Sequence, residues 1–207
     1  IEGRAKALIS VVPFIDVDFT SACLPFPKFT MGQTNYRVYV VDSTTGEKCV
    51  WFLGTTLDSW TVAVPRYLWK LPWHRGRVEF DCERDEATGR YTRYRMNTLA
   101  KWAPARLELA QQPSAGFSLD GFPDDESALV FLTHPLAGFY HRRDGRLGTY
   151  RVWHERLVVT PATLIHADFG LLSRLALVNA DEQQAPHSVL LQPVNEFTIY
   201  LPPRVLE

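Results

Sequence analysis

Three polar side chains alternate along one segment of the chain and could together bind a carboxylate or a carbonyl group. Gln33, Asn35 and Arg37 are separated by single residues, which puts them on one face of an extended strand. Two amides and a guanidinium offer several N–H donors, and a guanidinium can bind a carboxylate through two parallel hydrogen bonds. The same alternation is also typical of the solvent face of an antiparallel strand, so the residues alone leave both interpretations open.

Two histidines are suited to acid-base chemistry, because an imidazole titrates near neutral pH. His74 and His154 each follow a tryptophan, and a histidine beside aromatic residues can equally be a packed residue held by hydrogen bonds. Arg66 is a further cationic candidate, either for an anionic ligand or for a structural ion pair. The sequence thus offers two general acid-base candidates and a second anion-binding candidate.

Other kinds of site lack the residues that they need. The six histidines include no convincing helical pair, and His166 with Asp168 has no evident third partner, so no metal site is predicted. No serine-nucleophile elbow and no phosphate-binding glycine loop occur, and no cofactor is predicted. Arginines at 90–95 alternate with tyrosines, but acidic residues at 79–83 on the next strand favour cross-strand ion pairs over stacking on nucleic acid.

Composition limits the partners and the compartment. The chain has 207 residues, 46% of them hydrophobic, with a net charge of -1, which argues against nucleic acid or an anionic membrane as partner. No apolar run reaches the roughly 20 residues of a membrane span. Cys23, Cys49 and Cys82 form no CxxC pair, which predicts partly buried, reduced thiols and a cytoplasmic protein. The composition does not decide whether the protein forms a homo-oligomer.

The elements that must position these side chains are mainly short strands. Strands are predicted at 7–14, 33–41, 49–54, 77–83, 91–99, 106–109, 139–140, 148–159 and 188–200. Residues 16–31, with two prolines, are expected to form a loop, and 111–123 a linker. Short helices are predicted after Asp58 or Ser59, interrupted at Pro65, and from Asp124 or Asp125 to about Leu132, while 164–178 is helical or mixed. The pattern predicts a mainly β (α+β) protein whose antiparallel sheet is closed or sandwiched, with helices at its periphery.

Several of these segments resemble a known family. The segments are GQTNYRVYVVD at 32–42, AVPRYLWKLPWHRG at 63–76, FLT at 131–133, RRDGRL at 142–147, and the residues Tyr140, Trp153 and His154. They resemble the YqjF-like family of uncharacterised bacterial proteins (domain of unknown function 2071), which belongs to the acetoacetate decarboxylase-like superfamily. The resemblance runs from about Ala7 to Pro203. It implies a double β-cone or barrel that encloses a pocket, with Gln33, Asn35 and Arg37 facing inward.

The resemblance also implies which chemistry is missing. The decarboxylases of the superfamily carry a V-G-R-E-x-x-x-x-P-K-K-x-G segment, whose first lysine forms a Schiff base and whose second lowers the pKa of the first. Val64, Arg66, Pro72 and Gly76 match this frame, but Trp73 stands at the nucleophilic lysine and His74 at its partner. Two further pocket carboxylates of those enzymes fall at or near Ser10 and Gln33, which are not acidic. Schiff-base decarboxylation is therefore not expected.

Three functional hypotheses follow. The first is a protein that binds a small carbonyl, carboxylate or aromatic compound in a pocket formed by Gln33, Asn35, Arg37, Trp73, His74 and His154. The second is a lysine-independent lyase, hydratase or isomerase with His74 as acid-base group, and the third is a structural module whose cone is filled by its own side chains. Residues 7–207 are expected to form a single domain without the further N-terminal segment usual in the family. Residues 1–4 spell a Factor Xa site, either an expression scar or a native turn.

Overall fold

The computed structural model describes residues 7–22, 24–111, 119–192 and 194–206. The turn or scar expected at 1–6, Cys23 and most of the linker expected at 111–123 lie outside the described residues. The strands are β1 (Ile9–Ser21), β2 (Leu24–Val41), β3 (Lys48–Leu57), β4 (Trp73–Arg75), β5 (Arg77–Arg84), β6 (Tyr91–Leu99), β7 (Ala105–Gln111), β8 (Ala137–His141), β9 (Leu147–Trp153), β10 (Thr160–Phe169), β11 (Leu190–Leu191), β12 (Val194–Asn195) and β13 (Thr198–Leu206). The α-helices are α1 (Ala63–Leu68), α2 (Asp125–Thr133), α3 (Gly170–Arg174) and α4 (Ala180–Gln184).

Six strands close into a barrel in the order β1, β2, β3, β8, β9 and β13, with β13 returning to β1. Four of the six pairings are antiparallel, while β3 with β8 and β13 with β1 are parallel. The last pairing joins Thr20 to Thr198 and so brings the two ends of the described chain together. The mainly β fold with short helices is confirmed.

Of the remaining strands, β4 pairs with β3 and β12 with β1, and five form an antiparallel sheet in the order β11, β10, β7, β6 and β5. This second sheet packs on the outside of the barrel at β1 and β2. Thr34 of β2 hydrogen-bonds Thr98 of β6 at 2.9 Å, and Tyr36 makes an edge-on contact with Trp102 after β6. The inner side of the second sheet is an apolar cluster that includes Tyr94, Met96 and Leu107.

The loop expected at 16–31 is wrong, because β1 continues to Ser21 and β2 starts at Leu24. The two strands pair along this whole region, with Phe19 opposite Phe29, and the register shifts between Asp16 and Phe19 absorb the irregularity. Sequence patterning missed the strand because Asp16, at a position that faces inward, interrupts the apolar alternation. No helix among the described residues is long and apolar enough to cross a membrane.

The segment from 59 to 76 folds back so that β4 can pair with β3. Ser59 caps a 3-10 turn over Trp60–Val62, and α1 follows directly. Pro65 lies in the first turn of α1, where no backbone N–H is needed, so the predicted interruption takes the form of two successive helical turns. Lys70 has a positive φ of 62°, and the chain then returns as β4, with Trp73 opposite Thr55.

Candidate functional site

The barrel encloses a cavity of about 70 Å3, and the polar row on β2 faces it. Gln33, Asn35 and Arg37 all contribute to its wall. On the neighbouring strand, Phe14, Val12 and Ser10 lie opposite them in the antiparallel register. The row therefore lies on the interior face of the barrel and not on its solvent face.

The rest of the wall is aromatic and aliphatic, with a few polar groups. Phe52, Trp73 and Tyr150 are among the aromatic residues of the wall, and Phe52 stacks on Tyr150 with ring centroids 5.4 Å apart. The further polar residues in the wall include Asp16, Thr55, Thr133, His154 and Asn195. A cavity with an apolar wall and a few polar groups is the usual form of a small-molecule site.

Arg37 is held by neutral acceptors. Its Nε donates to Ser10 Oγ at 2.9 Å, and its Nη2 donates to the Leu132 carbonyl at 3.0 Å and to Tyr39 Oη at 3.4 Å. No carboxylate of the described part of the chain forms an ion pair with it. The charge of the guanidinium therefore has no carboxylate partner at the edge of the cavity, and within the described residues its Nη1 forms no hydrogen bond.

Asp16 is a buried carboxyl group that the sequence had placed in a loop. Its side chain is 0% exposed and accepts hydrogen bonds from Gln33 Nε2 at 2.6 Å and from the Phe197 backbone N–H at 3.2 Å. Burial raises the pKa of this carboxyl to about 8, so it is mostly protonated at neutral pH. Ser10, which pairs with Arg37, lies six positions before Asp16 on β1. This spacing corresponds to about 20 Å along the strand.

His154 is the predicted acid-base candidate that lies in the cavity wall. It is 3% exposed, and its Nδ1 lies 2.7 Å from the Glu155 carbonyl, to which it donates. Burial, with smaller contributions from His134 and Arg37, lowers its pKa to about 4. The imidazole is therefore neutral at pH 7, and its Nε2 can accept a hydrogen bond.

His74 and Arg66 lie outside this cavity. Because side chains alternate along a strand, Trp73 points into the barrel while His74 points away and stacks on Trp102, with ring centroids 3.9 Å apart. Arg66 Nη1 lies 3.2 Å from His74 Nδ1 and also donates to the Trp73 carbonyl. Burial and Arg66 lower the pKa of His74 to about 4. The structure thus brings together Gln33, Asn35, Arg37, Trp73 and His154, and it places the other two predicted residues in a separate packed cluster.

Lysines are absent from the cavity wall as far as the structure describes it. Lys28 forms an ion pair with Asp18, and Lys48 lies over the ring of Phe131. No group of three or more His, Cys, Asp or Glu side chains in the described ranges is arranged to hold a metal ion. Cys49 is buried and Cys82 is exposed, and both are free thiols.

Five polar wall residues were missed from sequence, namely Asp16, Thr55, Thr133, Tyr150 and Asn195. Thr55 donates to Asn35 Oδ1 at 2.7 Å and so fixes the orientation of that amide. Only Asp16 carried a readable signal, an acidic residue two positions after Phe14 in an otherwise apolar alternation. Thr55 and Tyr150 take their places through the pairings of β3 and β9, Asn195 through the pairing of β12 with β1, and Thr133 is the last residue of α2.

Comparison with known proteins gives a family match and a structural likeness. The model of the family DUF2071, described as an uncharacterized conserved protein, matches residues 2–195. No match is found among curated proteins. Among solved structures, acetoacetate decarboxylase from Legionella pneumophila subsp. pneumophila is similar, with a TM-score of 0.47 and 14% identity over 97% of this chain and 73% of that one.

Proposed function

The chain belongs to the DUF2071 family of uncharacterized conserved proteins, and on that premise we propose that it binds a small carboxylate or carbonyl compound inside the barrel, without Schiff-base chemistry. The observation that carries the proposal is the arrangement of Arg37, Asn35 and Gln33 along one wall of a mostly apolar cavity inside the barrel.

The charge of the cavity favours an anion. Asp16 is mostly neutral at pH 7 because burial raises its pKa, and His154 is neutral because burial lowers its pKa. Arg37 is then the charged group in the wall, and its bonds to Ser10 and the Leu132 carbonyl leave its charge uncompensated. A carboxylate placed at Nη1 would supply the missing negative charge.

The size of the cavity limits the ligand. About 70 Å3 is available, and a single water needs about 10–15 Å3 on the same measure, so there is room for roughly five non-hydrogen atoms. Short carboxylic and oxo acids have this size. The interior is therefore not completely filled by side chains, which argues against the structural-module hypothesis. An aromatic acid would be too large for this cavity.

The wall does not supply the amine that a Schiff base needs. Trp73 occupies the inward position of β4, and its ring makes an edge-on contact with Phe19, with centroids 6.4 Å apart. A keto acid bound here would meet neutral donors and a guanidinium, none of which forms an iminium. Acid-base chemistry at this site would involve the Nε2 of His154 and not His74, which is stacked on Trp102 outside the cavity.

Titration calorimetry with acetate and pyruvate tests the proposal. Wild type should bind at least one of them, and Arg37→Met should weaken binding by roughly 10- to 100-fold, since a hydrogen bond to a charged group contributes about 1.5–3 kcal/mol. Arg95→Met is the matched control, because Arg95 is an exposed arginine that bonds only Glu108 on the second sheet. Equal binding by Arg37→Met and wild type would contradict the role of Arg37. A lysine adduct trapped by borohydride with acetoacetate would contradict the absence of Schiff-base chemistry.

A further inference from the structure

A second and larger cavity lies between the barrel and the second sheet. Its volume is about 310 Å3, more than four times that of the barrel cavity and at the lower end of the roughly 300–1,000 Å3 of typical ligand sites. It starts at the first residues of β1, where Leu8 to Pro13 contribute to its wall, and extends along the inner side of the second sheet. None of the functional hypotheses drawn from the sequence uses this space.

The wall of this cavity is mostly aliphatic. Leu107 and Leu109 come from β7, Leu164 and Ala167 from β10, and Leu172 from α3. Most of these side chains are buried in the apolar clusters of the second sheet and of α3. An unbranched or alicyclic hydrocarbon fits such a wall, because it needs no hydrogen-bond partner.

Arg37 lies at the inner end of this cavity as well. Arg37, Val12, Thr133, Leu157 and Asn195 belong to the walls of both cavities, so the two spaces meet at these residues. The aliphatic wall therefore continues directly to a guanidinium whose partners are neutral oxygens. A charged group at one end of an apolar cavity is complementary to a molecule with an anionic head and an apolar tail.

The outer end of the cavity reaches solvent. Glu182, Pro186 and His187 contribute to the wall and are all exposed. His187 Nε2 lies 2.8 Å from the Asp120 carbonyl, which ties this end to the segment before α2. A ligand could enter here with its head first and move inward towards Arg37.

We infer that the inter-sheet cavity binds the hydrocarbon tail of an aliphatic monocarboxylate whose carboxylate lies on Arg37. This inference rests on the proposed function for the head group and adds the class of the ligand, a medium-chain fatty acid or a similar alicyclic acid. Short acids then use the barrel end alone, and longer acids use both spaces.

Titration calorimetry with a series of linear monocarboxylates from acetate to dodecanoate, kept below their micelle concentrations, tests the inference. Each buried methylene contributes about 0.8 kcal/mol, so the affinity should rise about threefold to fourfold per carbon until the cavity is full. Ala167→Leu would fill the cavity without touching the barrel wall, and it should abolish the rise while leaving acetate binding unchanged. Ile165→Leu, on the exposed side of the same strand, is the control and should keep the series of the wild type.

A second variant keeps the test decisive if Ala167→Leu does not fold. Leu164→Ala enlarges the cavity and should move the best chain length to a longer acid. Affinities that do not depend on chain length in wild type, or a series that neither variant changes, would overturn the inference while leaving the head-group site intact. Binding of long but not short acids would support the tail cavity and contradict the proposed binding of small compounds. If Arg37→Met bound the whole series of acids as tightly as wild type, the assignment of the carboxylate to Arg37 would be refuted for short and for long acids.

Discussion

Replacing Asp16 with asparagine should stabilise the protein at neutral pH. The native state holds this carboxyl 0% exposed with a pKa of about 8, whereas the ordinary value is 3.8. Between these two values the folded protein keeps a proton that the unfolded chain releases, so the contribution of Asp16 to the free energy of unfolding falls as pH rises. This contribution does not change with pH below about pH 4 or above about pH 8.

The size of the effect follows from the distance between these pKa values. At pH 7, about three units above the pKa of Asp16 in the unfolded chain, the folded protein still retains the proton. The free energy of unfolding is therefore about 4 kcal/mol lower at pH 7 than at low pH, where both states are protonated. Asparagine has the shape of the protonated acid and does not ionise. Its oxygen can still accept from the Phe197 N–H, and the Gln33 amide can turn over to accept from the new NH2 group. Asp16→Asn should therefore be about 4 kcal/mol more stable than wild type at pH 7 and nearly equal to it at pH 4.

Urea unfolding followed by tryptophan fluorescence, at intervals from about pH 4 to pH 8.5, measures this difference. Subtracting the free energy of unfolding of the wild type from that of the variant cancels the contributions of other titrating groups, including His74 and His154. Asp18→Asn is the matched control, because Asp18 is exposed on the same strand and forms an ion pair with Lys28. A difference for Asp16→Asn that is the same at pH 4 and pH 8, or a variant that is less stable throughout, would refute the burial of a protonated acid.

Two further predictions concern His154 and Gly54. The pKa of His154 is lowered to about 4 from 6.5, so the stability that it contributes is present above pH 6.5 and is lost as pH falls through 4, by about 3 kcal/mol in total. His154→Asn should remove that acid sensitivity in the same unfolding assay. A variant whose free energy of unfolding depends on pH as in wild type would contradict this prediction. His141→Asn is the control, because His141 is exposed. Gly54→Ala would place a Cβ 2.4 Å from the Trp102 ring, where glycine is needed for close packing, and should cost about 3 kcal/mol. Gly46→Ala, whose Cβ meets nothing within 4 Å, should cost only the roughly 1–2 kcal/mol of its positive φ, and equal losses for the two variants would argue against the contact with Trp102.

Local patterning put Gln33, Asn35 and Arg37 on one face of a strand but did not decide whether that face is the interior one. The alternation of Gln33, Asn35 and Arg37 survives in the structure because β2 is a long regular strand. Asp16 was missed because an acidic residue normally marks an exposed position, and its burial depends on partners from Gln33 and Phe197. Local periodicity does not contain such partners.

The two sides of β4 show a second limit of sequence reasoning. The motif placed Trp73 and His74 together near the pocket, yet adjacent residues in a strand point to opposite faces. Which of them enters the barrel is decided by the pairing of Trp73 with Thr55, a contact between strands that are separated by a 3-10 turn and a helix. The resemblance put both residues at the pocket, and only the pairing of β4 with β3 decides the direction of each side chain.

The pairing of β13 with β1 has a consequence for the order of folding. Thr20 and Thr198, whose side chains lie 3.4 Å apart across this seam, are separated by 178 residues, whereas β1, β2 and β3 can pair as local hairpins. A contact of this sequence separation carries a large entropy of loop closure and forms slowly. During synthesis the interior of the barrel must stay open to water until β13 has emerged from the ribosome. The cavity is therefore a late product of folding, and a ligand that needs its full wall can recognise only chains whose final strand is in place.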